Sequence, residues 1–135
     1  MNVLVDTSVW SEALRRQTGA GREDVIHALE GLIGKGLAVL IGPVRQELLS
    51  GIRDLNPFNL LKHKLRGFPD IPVELRDYEY AAELFNTCRG IGIQGSHVDM
   101  LICAVALNRN SAVFTLDQDF GHYAKAIHVR LFKWV

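Results

Sequence analysis

Three short, largely apolar runs constrain the fold of this chain more than any other feature of its sequence. They lie at Val3–Val5, Leu37–Ile41 and Ala112–Thr115, and segments with helical periodicity separate them. Strands that are apolar at nearly every position are typical of a parallel sheet covered on both faces. Alternation of strands with helices is typical of the α/β class. The sequence therefore predicts a three-layer α/β/α sandwich with a central, mainly parallel sheet.

Helices are predicted between these strands, and cap and turn residues set their limits. Thr7 or Ser8 can cap the first helix, and Gly19–Gly21 breaks the chain after it. The predicted helices cover Val9–Arg16, Val25–Ile33, Pro43–Leu49, Asn56 to about Gly67, Tyr78–Arg89, Val98–Leu107 and Tyr123–Ala126. Two further short strands are predicted at Ile71–Val73 and Val129–Phe132. The helix at Val98–Leu107 is so apolar that we expect it to be nearly buried.

Length and composition indicate one ordinary globular domain spanning residues 1–135. The chain has 48% hydrophobic and 22% charged residues, which excludes a disordered chain. Cys88 and Cys103 fit no zinc-ligand spacing and are expected to be reduced thiols. No signal peptide is recognised, and every apolar run is much shorter than the ~18 residues of a membrane span. A soluble, cytoplasmic protein is expected.

Acidic residues follow the predicted strands at the ends where parallel sheets bind their ligands. Asp6 directly follows the first strand, and Glu47 lies in the helix after the second. Asp99 lies in the first turn of the apolar helix, and Asp117 and Asp119 directly follow the third long strand. Because ligands of open parallel sheets bind outside the carboxyl ends of the strands, we expect these carboxylates to meet at one edge.

A cluster of carboxylates at one edge predicts a metal site. Unscreened, each close pair would repel by about 4 kcal/mol at an effective dielectric near 20. Hard oxygen ligands without His or Cys favour Mg²⁺ or Mn²⁺ over zinc, and a pair of such ions suits in-line displacement at a phosphodiester. Taken singly, each acid can instead be a helix cap, a dipole partner or a turn residue. Their joint placement favours the metal site.

Four motifs, in this order along the chain, resemble the PIN domain family. They are Val-Asp-Thr-Ser-Val-Trp at residues 5–10, Gly-Pro-Val at 42–44 followed by Glu47, Asp-Met-Leu-Ile-Cys-Ala at 99–104 and Thr-Leu-Asp-Gln-Asp-Phe at 115–120. More narrowly, nearly the whole chain resembles VapC-type ribonuclease toxins of toxin–antitoxin pairs. The resemblance implies a PIN-like sandwich, a Mg²⁺- or Mn²⁺-dependent endoribonuclease acting on RNA, and a homodimer held inactive by a cognate antitoxin.

The resemblance also implies roles for particular residues. The catalytic and metal-binding acidic quartet would consist of Asp6, Glu47, Asp99 and Asp117. Asp119 would be an auxiliary acid that competes with Asp117 for the fourth position. Thr7 or Ser8 would orient water or the metal shell near Asp6. A catalytically idle PIN-like module that binds RNA or protein, and a metal-dependent phosphatase or DNA nuclease, are the alternative functions.

A basic segment at residues 45–66 is the candidate RNA contact. It contains Arg45, Arg53, Lys62, Lys64 and Arg66 against two acids, Glu47 and Asp54. A ribonuclease needs basic side chains that bind the phosphate backbone next to its metal site. The residues predicted to bind RNA are therefore Arg45, Lys62, Lys64 and Arg66. These side chains could equally form solvated helix faces.

Three further features have alternative interpretations. Gly90–Gly95 spells the GxGxxG pattern of dinucleotide sites, but a helix is predicted where that fingerprint needs a strand, so the match is judged accidental. His97 is the one histidine that could touch substrate, although a surface or capping role is favoured. Trp10 could stack a base, but its place in the first helix favours the core.

Overall fold

The computed structural model describes residues 1–15 and 22–134, and within them three strands form one sheet. These are β1 (Val3–Val5), β2 (Ala38–Val39) and β3 (Ala112–Phe114), in the order β2-β1-β3. Both pairings are parallel, with Val3 opposite Ala38 on one side and Ala112 on the other. Every strand residue is buried, as strands covered on both faces require. The predicted fold class is confirmed.

Seven helices surround this sheet in the described part of the chain. They are α1 (Thr7–Arg15), α2 (Glu23–Gly34), α3 (Gly42–Ser50), α4 (Leu55–Leu65), α5 (Leu75–Gly90), α6 (His97–Asn108) and α7 (Asp119–Ile127). Helix α1 packs against α2 and α3, while α5 packs against α6 and α7. The predicted helix end at Arg16 and the break at Gly19–Gly21 lie outside the described residues.

At the edges of the sheet, the predicted strands are longer than the observed ones. The predicted strand at Ile71–Val73 is replaced by a single bridge between Asp70 and Leu40. Pro72 has no N–H to donate, which explains why the pairing stops there. The predicted strand at Val129–Phe132 is likewise one bridge, between Leu131 and Val113, and β2 is shorter than the predicted Leu37–Ile41.

All seven described helices begin earlier than the sequence predicts, and α5 and α7 differ most, by three and four residues. Helix α4 begins at Leu55, one residue before the predicted start at Asn56, and Asp54 is at its N-cap position. Pro57 is tolerated there because first-turn N–H groups have no partner within the helix. Helix α5 begins at Leu75 rather than at Tyr78, and α7 begins at Asp119 rather than at Tyr123.

The buried face of α5 includes a charged residue. Tyr78, near the start of this helix, is 55% exposed. The buried residues are Asp77, Ala81, Leu84 and Cys88. Asp77 can be buried because Arg109, at the end of α6, donates to both of its carboxylate oxygens at 2.7 and 2.9 Å. This ion pair lowers the pKa of Asp77 well below its ordinary value.

The core is centred on α6, in which Met100–Ala106 are all buried, as its apolar sequence predicts. Trp10 is 5% exposed and donates its indole N–H to the carbonyl of Val5 at 3.2 Å, which confirms its core role. Both cysteines are buried free thiols, and burial raises their pKa. Across the described ranges, no helix combines the length and apolar character needed to cross a membrane.

Candidate functional site

Asp6 lies at the carboxyl end of β1, where the adjacent strand β3 also ends. Its backbone N–H donates to the carbonyl of Phe114 at 2.9 Å, which brings the residues after both strands together. Oδ2 of Asp6 accepts hydrogen bonds from the hydroxyls of Thr115 at 2.8 Å and Ser8 at 2.9 Å. The residue is 8% exposed. Its carboxylate is therefore fixed by two hydroxyls at the mouth of the sheet.

Ser8 and Thr115 connect the acid on β1 to the chain that follows β3. The hydroxyl oxygen of Ser8 accepts from the N–H of Leu116 at 2.9 Å, and that of Thr115 accepts from the N–H of Asp117 at 3.0 Å. Of the two predicted auxiliary hydroxyls, Ser8 contacts Asp6, while Thr7 makes no side-chain hydrogen bond with the described residues. The sequence analysis missed Thr115, although a threonine ending a buried strand two residues before Asp117 was a usable signal.

Asp99 lies in the first turn of α6 and is partly buried. Its N–H donates to the N-cap hydroxyl of Ser96 at 3.0 Å, and its Oδ2 accepts from the phenol of Tyr123 at 2.9 Å. Burial raises the pKa of Asp99 above its ordinary value, the hydrogen bonds from Tyr123 and Ser96 oppose this, and the negative charges of Asp6 and Asp117 add to it. Asp6 and Asp117 therefore each lie within electrostatic reach of Asp99.

Asp117 and Asp119 are both exposed, between β3 and α7. The Oδ1 atom of Asp117 accepts from the N–H of Asp119 at 2.9 Å, so Asp117 satisfies the first N–H of α7. Asp117 contributes to the raised pKa of Asp99, whereas Asp119 acts on Tyr123, whose pKa is raised by burial first and then by the hydrogen bond and charge of Asp99. The charge of Asp117 also raises the pKa of Tyr123, so it acts on both partners of the Tyr123–Asp99 hydrogen bond.

Glu47 is not gathered with these three acids. It is exposed on α3 and makes no hydrogen bond or ion pair with the described residues. It is also absent from the charges that raise the pKa of Asp99. The structure thus brings together Asp6, Asp99 and Asp117 and leaves Glu47 outside their electrostatic cluster.

The donor chemistry of this edge fits a hard divalent cation. The acids offer carboxylate oxygens, the ligands that Mg²⁺ and Mn²⁺ prefer, and their mutual repulsion would be relieved by positive charge. No three acidic, histidine or cysteine side chains of the described ranges are already arranged as a metal-holding group. Metal binding at this edge therefore requires side-chain rotation, which the exposure of Asp117 and Glu47 permits.

The predicted RNA-contact residues differ in how their charges are used. Arg45 is ion-paired with Asp70, with Nη2 at 2.7 Å from Oδ1, and also donates to the carbonyl of Phe68. Its charge is therefore compensated within the protein. The amino group of Lys62 lies 5.9 Å from the centre of the Phe58 ring. Lys64 and Arg66 are exposed on or beside α4, as an RNA contact requires.

The loop before α6 holds the two remaining sequence features. Helix α5 continues to Gly90, so the GxGxxG pattern follows a helix, as predicted. His97 is exposed, and its imidazole is stacked on the Phe85 ring with centres 4.9 Å apart and planes inclined by 15°.

Comparison with known proteins gives results that agree with one another. The PIN domain family model matches residues 3–126. VapC ribonuclease Mb1587 of Mycobacterium bovis and ribonuclease VapC11 of Mycobacterium tuberculosis are each 26% identical over 130 residues, covering 95% of this chain and 96% of the relative.

Solved structures show the same fold. VapBC2 from Rickettsia felis, bound to a DNA fragment from its promoter, has a TM-score of 0.80 at 18% identity, with all of both chains covered. FitAcB from Neisseria gonorrhoeae has a TM-score of 0.75 at 23% identity, covering 97% of this chain and 96% of the other. A toxin–antitoxin complex from Klebsiella pneumoniae has a TM-score of 0.69 at 18% identity, covering 88% and 90%.

Proposed function

The chain belongs to the PIN domain family, and on this basis we propose that it is a Mg²⁺- or Mn²⁺-dependent endoribonuclease that acts as the toxin of a toxin–antitoxin pair. The observation that carries the proposal is the gathering of Asp6, Asp99 and Asp117 from three segments at one edge of the sheet. Burial first, and then the charges of Asp6 and Asp117, raise the pKa of Asp99, so a bound cation would relieve the cost of its negative charge. The relatives named as VapC ribonucleases support the choice of RNA as substrate.

The proposed metal ligands are Asp6, Asp99 and Asp117, with Glu47 as the fourth. A bound divalent ion would supply a water of lowered pKa as nucleophile and stabilise negative charge on the leaving oxygen. The chain's own contribution is to hold the ligands. Ser8 and Thr115 fix Oδ2 of Asp6, and Tyr123 fixes Oδ2 of Asp99. Such positioning limits the reorganisation that the carboxylates undergo when metal and RNA bind.

A protein partner is supported by an apolar groove among α1, α2, α3 and α4. The groove has a volume of about 460 Å³ and is lined by Trp10, Leu14, Ile33, Leu61 and Phe68, among others. Ile33, near the end of α2, is 37% exposed and faces this groove. Because similar solved structures are toxin–antitoxin complexes, we propose that an apolar segment of the antitoxin occupies the groove. Lys64 at its border suits acidic residues flanking that segment.

A homodimer and a cytoplasmic location complete the proposal. Leu75 and Tyr78, on the outer face of α5, are 75% and 55% exposed. Adjacent exposed apolar side chains of this size are typical of a surface that a second protein chain covers. We therefore propose α5 as part of the dimer contact. Replacing both with Ser should shift the protein to a monomer in size-exclusion chromatography.

A cleavage assay separates the proposed function from its alternatives. Purified protein is incubated with single-stranded RNA, structured RNA and DNA, each with Mg²⁺, with Mn²⁺ and with EDTA. Internal cuts in RNA that disappear in EDTA support the proposal. Cutting of DNA or release of terminal phosphate would indicate the other metal-dependent hydrolases. Binding of RNA without cleavage under any metal would indicate an idle binding module.

A further inference from the structure

A cavity beside the acids connects them to the loop between α5 and α6. It has a volume of about 250 Å³ and is lined by Gly92–Gln94, Asp119, His122 and Tyr123. Because the phenol of Tyr123 is bonded to Asp99, this cavity borders the candidate metal site. The cavity therefore lies between the candidate metal site and this loop.

A second cavity shares this loop. It has a volume of about 430 Å³ and is lined by Gly92–Gln94 together with Phe85, Arg89 and Gly95. We call it the base cavity. Its volume lies within the roughly 300–1,000 Å³ typical of small-ligand sites. The two cavities are neighbours because Gly92–Gln94 line both.

The base cavity differs from the first cavity in charge and in aromatic content. None of its lining residues is acidic, and the guanidinium carbon of Arg89 lies 5.7 Å from the centre of the Phe85 ring. The ion pairs found in the described part of the chain do not involve Arg89, so its charge remains available. His97, stacked on Phe85, fixes the orientation of that ring. An aromatic ring and a cation thus lie together at the base cavity.

We propose that the base cavity receives an unpaired RNA base adjacent to the cleaved phosphodiester, an inference that rests on the proposed function. Unstacked bases bind to aromatic rings and to guanidinium planes, both of which the base cavity offers. The side-chain amide of Gln94 can donate and accept hydrogen bonds with a base edge. Bases within a duplex are already stacked and cannot enter. The base cavity therefore selects single strands and loops over helical RNA.

The test compares binding of a short, fluorescently labelled RNA of mixed sequence, single-stranded or annealed to its complement, in EDTA to prevent cleavage. We expect Phe85→Leu and Arg89→Gln each to weaken binding of the single strand by about fivefold or more. Phe85→Leu should leave duplex binding unchanged. Arg76→Gln, an exposed arginine on the same helix, is the matched control and should leave both affinities unchanged.

Several outcomes separate this inference from the proposed function. If the parent protein binds and cleaves RNA but both variants bind the single strand as tightly as the parent, the proposed role of the base cavity is wrong. The proposed nuclease function is then unaffected. If the parent neither binds nor cleaves RNA, both are overturned. Arg89 is exposed, so its variant tests the inference even if Phe85→Leu lowers the melting temperature.

Discussion

The phenol of Tyr123 donates a hydrogen bond to Oδ2 of Asp99 over 2.9 Å, joining α7 to the first turn of α6. Tyr123 is 1% exposed, and its ring packs edge-on against Phe120 with centres 5.1 Å apart. Because α7 starts at Asp119, two residues after Asp117, this bond holds Asp99 in a fixed relation to Asp117. Tyr123 is therefore a positioning residue for the proposed metal ligands.

Tyr123→Phe keeps the ring but removes this bond. A hydrogen bond to a charged group contributes about 1.5–3 kcal/mol, so we expect a lower melting temperature in EDTA. Cleavage should fall severalfold, and the stabilisation that Mn²⁺ gives should shrink, because Asp99 is no longer held. Tyr80→Phe, on α5 and without a side-chain hydrogen bond in the described structure, is the control. Equal metal-induced shifts in both variants would contradict the positioning role.

Asp99→Asn should stabilise the metal-free protein at neutral pH. The folded-state pKa of Asp99 is raised above its ordinary value of 3.8, mainly by burial. A group with a raised folded pKa gives its full stability below the unfolded pKa and loses it as pH rises through the folded pKa. Melting curves in EDTA should therefore show the variant above the parent at pH 7, with the difference vanishing near pH 4 and below. A lower melting temperature for the variant at neutral pH would indicate a purely structural acid.

Metal binding should raise the stability of the parent protein. An ion that binds only the folded state stabilises it by about 2.7 kcal/mol at one hundred times its dissociation constant. Glu47→Gln should reduce this gain although Glu47 is exposed and outside the acid cluster, because metal would draw it in as a fourth ligand. Thermal melts with increasing Mn²⁺ measure the effect, with Glu83→Gln on α5 as the control. An unchanged gain in Glu47→Gln would remove Glu47 from the site.

The basic residues of α4 should contribute to RNA affinity. Replacing Lys62, Lys64 and Arg66 together with Gln should weaken RNA binding and flatten its salt dependence by about 0.7 in slope for each lost single-strand phosphate contact. Turnover at saturating RNA should change little. Lys35, Arg76 and Lys133 form an exposed control triple. If the two triples show the same affinity and salt slope, the RNA path lies elsewhere.

The order of strands and helices could be predicted from the sequence because it depends on patterns within single segments. Apolar runs identify β1 and β3, and uninterrupted apolar residues identify α6 as buried. The edges of the sheet could not be predicted in the same way. There the length of a strand depends on how much of a neighbouring backbone it pairs with. Asp70 pairs only with Leu40, and Leu131 pairs only with Val113, each as an isolated bridge.

The site could be predicted only in part, for a related reason. The positions of Asp6, Asp99 and Asp117 could be predicted because each lies next to the end of a strand or helix, and such ends are recognised from the local sequence. Tyr123 was missed because a buried tyrosine in a helix is typical of the core, and its partner lies 24 residues earlier. The burial of Asp77 on α5 could not be predicted for the same reason, because its charge is neutralised by Arg109, which is 32 residues away.

The central claim is that carboxylates at this edge of the sheet hold a divalent ion that cleaves RNA. The most direct test compares RNA cleavage by the Asp6→Asn and Asp99→Asn variants with cleavage by the parent protein. The substrate is the RNA that the parent cuts best with Mg²⁺ or Mn²⁺, and each variant is first shown to be folded by its melting curve. The account predicts cuts by the parent that EDTA abolishes and that both folded variants fail to make. Cleavage that persists undiminished in EDTA, or in both folded variants, would contradict it.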